Sequence, residues 1–162
     1  MARFRYRMQG ILDIKIKLET QARQEFAQAK TLLDRELEKL GLLYEKLQQY
    51  ESEAQRLLSG KLDVTEILVN KEAIMHTQVC IEEQRECVDA ARAKVEEARE
   101  KLKDVMQERK VHETLKDKAF EEFLMEEKQQ ESKEIDQLTS YVYGQKLLEE
   151  AEDEKDGSQA RS

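Results

Sequence analysis

The sequence predicts an all-α protein, an antiparallel two-helix coiled-coil hairpin in which the second helix overhangs the first. Three observations carry this. The 162 residues include no proline, only 5 glycines and 40% charged residues, the composition of long helices. An apolar residue recurs at every seventh position through Ile67, Ile74, Ile81, Val88, Val95 and Leu102. A single stretch, LLSGKLDVTEIL at 57–68, gathers the signals of a turn.

The first helix is expected over about residues 5–58. Met8, Ile11, Leu18, Ala22, Phe26, Ala29, Leu33, Leu37, Leu40, Tyr44, Leu47, Ala54 and Leu58 follow one another mostly at three- and four-residue steps and cover one face. Gly41 inside it costs about 1 kcal/mol against alanine, too little to break so long a helix. The turn falls at 59–63. Gly60 suits a left-handed helix end, Asp63 caps the next helix with Glu66 reaching back, and Leu62 and Ile67 hold the staple positions.

The second helix is expected over about residues 64–143, with Gly144 as its stop. Its Ile and Val beats suit a two-stranded coiled coil, whereas their companions Asn70, Thr77, Gln84, Ala91, Ala98 and Val105 are small or polar and weaken the seam. A short turn makes the helices antiparallel. With Leu58 opposite Thr65, Phe4 falls opposite Ala119 and the first helix ends. About 25 residues of the second helix, roughly 37 Å, then lack a cis partner. The seven-residue beat meets Arg109 and Lys116 slightly before that point, opposite Ile14 and Arg7, so the register is also expected to shift near the terminus. The overhang still carries Phe120, Phe123, Leu124, Ile135, Leu138, Tyr141, Val142 and Tyr143, a surface of the kind that marks an interaction site. Residues 1–148 form one hairpin domain, and 149–162 read as an acidic disordered tail.

The net charge of −8 argues against a nucleic-acid binder, which needs clustered cations. The charge is also uneven. Arg3, Arg5, Arg7, Lys15 and Lys17 face only Asp13 near the start, and 13 acids stand against four lysines between Ala119 and Asp156. No stretch reaches the ~18 apolar residues of a membrane span, so direct membrane insertion is not expected. Nor is a secretory leader, because the start lacks a continuous apolar core. Cys80 and Cys87 lie about 10.5 Å apart along a helix, too far for a disulfide, and fit a reducing cytoplasm. No phosphate loop, zinc motif or nucleophile elbow occurs. His76, Cys80 and Cys87 fall short of a zinc ligand set, His112 reads as a packing residue, and a two-helix hairpin has no walls to exclude water. No enzyme, metal or cofactor is expected. Leu43, Tyr44, Leu47 and Tyr50 form a cluster larger than one facing helix can cover, leaving part of it for a partner.

The start FRYRMQGILDIKIKLETQARQEFAQA and the later ERKVHETLKDKAFEEFLMEEKQQESKEIDQL resemble the FliJ family, soluble components of the bacterial flagellar type III export apparatus, over roughly residues 3–143. The resemblance implies a hairpin like the central stalk of rotary ATP synthases, with both termini in the pore of the hexameric flagellar export ATPase. It would promote ring assembly and link the ring to the membrane export gate. The protein would lie in the cytoplasm at the membrane face of the flagellar base, with export chaperones as further partners. On this basis Arg3, Phe4, Arg5, Arg7, Phe120, Phe123, Leu124, Ile135 and Leu138 are the candidate ring contacts, and Leu43, Tyr44, Leu47 and Tyr50 the candidate gate contacts. The competing readings are a generic coiled-coil adaptor or holdase chaperone without an ATPase partner, a membrane-surface helix, and a homodimer through the overhang.

Overall fold

The computed structural model describes residues 2–161. Two helices make up nearly all of it: α1, Gln9–Ser59, of 51 residues, and α2, Val64–Gln159, of 96. No strand occurs among the described residues. The chain forms two compact units, one of Ile11–Lys110 and one of residues 2–10 with 111–161.

In the Ile11–Lys110 unit, α1 and the first half of α2 pack antiparallel along a line of small contacts. Every beat of the α2 stripe from Ile67 to Leu102 is buried or half-buried, and so is every companion from Asn70 to Val105. The buried apolar residues are Leu12, Ala22, Ile81, Val88 and Val95. Full burial of a Val or Leu side chain is worth about 1.5–3 kcal/mol, so the seam is built from many modest increments. Polar companions fix its register. The Asn70 side-chain amide donates to the main-chain carbonyl of Tyr50 at 3.1 Å, and that of Gln84 donates to the carbonyl of Glu36 at 3.0 Å. Lys15 pairs with Glu108 at 2.6 Å, the partnership that a register anchored at the turn requires.

The seam of α1 lies slightly round from its expected face. Leu12, Glu19, Leu43, Tyr50 and Leu57 turn inward, while Ile11, Leu18, Leu37, Tyr44 and Leu58 are exposed. Hydropathy favoured Leu18 over Glu19, yet Glu19 has two arginines, Arg23 and Arg109, to neutralise it.

Four local expectations are corrected. α1 begins at Gln9, because residues 2–6 form no helix and Phe4 is held by aromatic packing. Gly60 does not take a left-handed conformation; the Ser59 hydroxyl donates to the Arg56 carbonyl at 2.9 Å instead and satisfies an end group of the helix. Asp63 does cap α2, accepting from the Thr65 N–H at 3.0 Å, but Leu62 is 65% exposed and forms no staple. Finally, α2 passes through Gly144 and continues to Gln159, where a stop and an irregular tail were expected. Glycine in a helix costs about 1 kcal/mol but does not end it, and the residues after it, QKLLEEAEDEK, are mostly strong helix formers.

Two substitutions probe the seam and the helix. Ile81→Ala should lower the unfolding free energy by about 2–4 kcal/mol in urea titrations followed by circular dichroism. Gly41→Ala should raise it by about 0.5–1 kcal/mol, because a Cβ there meets nothing within 4 Å.

Candidate partner-binding surfaces

In the unit of residues 2–10 and 111–161, the N-terminal strap alternates. Phe4 and Tyr6 are half-buried, and Arg3, Arg5 and Arg7 are exposed. This is the period of an extended chain, in which successive side chains point to opposite sides. Phe4 is the anchor. Its ring lies 5.1 Å from that of Phe120, edge-on at 68°, and 5.5 Å from that of Phe123, the spacing of favourable aromatic pairs. The Gln9 N–H donates to the Tyr6 carbonyl at 3.2 Å and turns the strap into α1.

The strap and α2 enclose a shallow hollow of about 510 Å³ bounded by Arg3, Arg5, Arg7, Tyr6, Gln9 and Lys116. No carboxylate of the described residues pairs with any of these four cations. The Tyr6 hydroxyl and His112 Nδ1 are buried and without hydrogen-bond partners among the described residues. His112 is half-buried on α2, consistent with packing.

Further along α2 in the same unit, burial fades. Glu127 is half-buried, and from Lys128 to Gln159 every residue except Gly144 is exposed. Ile135, Leu138 and Val142 fall on one side at three- and four-residue steps, 62%, 64% and 51% exposed. Tyr141 lies beside them, its hydroxyl accepting from Gln145 at 2.9 Å. The candidate ring residues therefore divide into two kinds. Phe4 packs on Phe120 and Phe123, with Phe120 itself part-exposed, whereas the three arginines, Leu124, Ile135 and Leu138 are exposed.

The Ile11–Lys110 unit holds the candidate gate cluster. Leu43, Leu47 and Tyr50 are half-buried in its seam. Only Tyr44 stands clear, with its hydroxyl accepting from Arg85 Nε at 2.9 Å and from Nη2 at 2.6 Å, a contact that raises the arginine's pKa. The exposed apolar residues at this end are instead Leu58, Leu62, Val64, Leu68 and Val69 around the turn, beside a groove lined by Tyr50, Leu57, Val69 and Ala73. The sequence placed Leu58 on the seam face and Leu62 at a staple position and singled out neither Leu68 nor Val69. Their exposure was legible only as a turn too short to fold back over its own side chains.

The seam also holds a buried carboxylate. Glu19 accepts from Arg23 at 2.8 Å and forms an ion pair with Arg109. Its pKa lies below the ordinary value, first through the Arg23 hydrogen bond and then, against the opposing effect of burial, through Arg109. This explains why Arg109 stands where the apolar beat fails. His76 and Cys80 approach to 3.6 Å, but no group of three metal-ligating side chains occurs among the described residues. No described helix is long and apolar enough to cross a membrane.

The sequence profile of flagellar FliJ proteins matches residues 4–148. This chain belongs to the FliJ family. The match spans the strap, both helices of the hairpin and the exposed stripe of α2, and it associates the chain with the type III export apparatus. A solved structure described as a YscO homolog from Chlamydia trachomatis is similar in fold, with a TM-score of 0.61 and 24% identity, covering 87% of this chain and 96% of its own. No curated protein sequence matches.

Two measurements test this geometry. Phe4→Ala should release the strap, so that trypsin cuts after Arg3, Arg5 and Arg7 faster than in the parent chain while the melting of the hairpin is unchanged. For Glu19 the folded pKa is depressed, so its contribution to stability is present above its unfolded pKa of about 4.3. It is lost as pH falls through the lower folded value. Glu19→Gln should therefore flatten the acid limb of a stability–pH curve below about pH 4.3.

Proposed function

We propose that this FliJ-family chain is a non-enzymatic stalk of the flagellar type III export apparatus. The unit carrying residues 2–10 and 111–161 enters the ring of the export ATPase, promotes ring assembly and couples it to the membrane export gate. The observation that supports this reading is the pairing, within one unit, of a pinned strap bearing unneutralised arginines with an exposed apolar stripe on a single helix. Such a surface is expensive to leave bare and suits insertion into a concave partner. Helices with so high a charge fraction offer moderately polar contacts that do not lock one orientation. Hydrolysis belongs to the ring, and the chain contributes contacts. Gate contact is assigned to the other unit, where Tyr44 and the apolar turn residues are exposed. The chain works at the cytoplasmic face of the membrane, peripherally, with export chaperones as further partners.

The test is ATP hydrolysis and ring assembly by the organism's flagellar export ATPase, with and without the full chain. The parent should raise both. Ile135→Asp combined with Leu138→Asp should weaken binding about tenfold or more, as loss of a central apolar anchor does. If the parent chain changes neither turnover nor assembly, the stalk reading fails and a client-binding chaperone becomes the better account.

A further inference from the structure

Several described cations are ion-paired and others are not. Those of the hairpin seam find carboxylates: Lys15 pairs with Glu108, Lys101 with Glu25 at 2.7 Å, and Arg23 and Arg109 with Glu19. Arg3, Arg5, Arg7 and Lys116 find none among the described residues, although they border one hollow and Glu122 and Glu126 lie close by on α2. In a chain with net charge −8, four cations bordering one hollow are a local concentration of positive charge. They make a surface of positive potential in an otherwise acidic molecule.

The strap adds geometry to charge. Arg3, Phe4 and Arg5 lie outside any helix or strand, their side chains alternate between exposed and half-buried as along an extended chain, and no main-chain hydrogen bond among the described residues engages them. Their backbone is an open strand edge of the kind that accepts an added strand. Arg3 and Arg5 stand at alternate residues, about 6.6–6.8 Å apart along an extended chain, and Arg7 follows in the turn that leads into α1. That spacing is the repeat of side chains on one face of another extended chain. A guanidinium pairs with a carboxylate through two parallel hydrogen bonds.

We infer that Arg3, Arg5, Arg7 and Lys116 form a cradle for an extended acidic segment of a partner protein, with carboxylates at alternate residues, and that Phe4 is the residue that positions it. The inference rests on the ring-docking reading and names its chemistry: the ring presents an acidic loop or strand to the strap. A phosphate-bearing membrane surface would satisfy the charge but not the open strand edge, and so is the weaker match.

The experiment uses the full chain and three probes: the flagellar export ATPase, a labelled peptide of alternating Glu and Thr with its sequence-shuffled control, and vesicles of phosphatidylcholine and phosphatidylglycerol. Replacing Arg3, Arg5 and Arg7 together by Gln should weaken ring binding about tenfold or more and flatten its dependence on salt. The same three changes to Lys, which keep the charge but lose the fork, should cost less. Phe4→Ala should weaken binding with every charge in place, and the alternating peptide should bind better than its control. Unchanged hairpin melting in each variant excludes misfolding. Ring binding by the triple Gln variant at parental affinity and salt dependence overturns the cradle and leaves the ring reading standing. If the parent does not bind the ring at all, the ring reading falls and the peptide alone decides the cradle. Arginine-dependent binding to vesicles, with equal binding of the two peptides, overturns the acidic segment in favour of lipid.

Discussion

Everything in the hairpin depends on a seam that is held in register more firmly than it is held together. Of its six apolar beats only Ile81, Val88 and Val95 are fully buried, and their companions include Asn70, Thr77 and Gln84. In a coiled coil such polar companions lower stability and select one alignment. Here the selection is made against main-chain acceptors, the carbonyls of Tyr50 and Glu36. A main-chain carbonyl inside a helix cannot rotate to track a slipped partner. A shift by one residue strands a half-buried amide, at a cost of about 1–3 kcal/mol for each orphaned group. A hairpin of this construction can be thin and still have one alignment.

The same logic explains how the stripe ends. Among α2 residues of the Ile11–Lys110 unit, the last beat is Arg109, opposite a buried Glu19 that already holds Arg23. A buried ion pair adds little net stability, but removing one partner leaves an uncompensated charge. It therefore serves as a specificity device near the limit of the apolar seam. In the other unit, half-buried positions recur at His112, Lys116, Ala119 and Phe123, on the same seven-residue beat but with changing chemistry. There Phe4 of the strap, not a second helix, packs on α2.

That difference marks what was legible in the sequence. Two helices, one turn, antiparallel pairing and the register were readable, because each rests on a period or on a cluster of independent signals. The pairing of Lys15 with Glu108 shows how far a register set at the turn carries. The start of α1 was not readable. FRYRM shares the helical composition of the residues after it, and only contact with Phe120 and Phe123, more than a hundred residues away in sequence, makes an extended strap preferable. The inward turn of Glu19 was hidden because a carboxylate reads as solvent-facing until its two arginines are placed. Gly144 misled in the opposite sense, since a lone glycine weakens a helix without ending it. The cluster of Leu43, Leu47 and Tyr50 read as too large for one facing helix, yet the seam covers half of each.

The strap shows why the partner surface has its particular composition. An extended segment with alternating aromatic and arginine side chains puts its anchor and its contact groups on opposite sides, so the anchor cannot compete with the partner for the charges. A helical start would have wound Arg3, Arg5 and Arg7 around its circumference, about 200° apart at each step, and let the acidic residues of α2 neutralise some of them. A non-helical start keeps Arg3 and Arg5 on one side of the strap, and no carboxylate of the described residues pairs with them although Glu122 and Glu126 lie close by. The aromatic contacts at Phe4 supply about 0.5–1.5 kcal/mol per ring pair beyond their buried area. Fixing each backbone residue of the strap costs about 1–2 kcal/mol. The strap is therefore held with little margin, and a partner that pairs its edge and its guanidiniums completes an arrangement that the chain alone only just maintains.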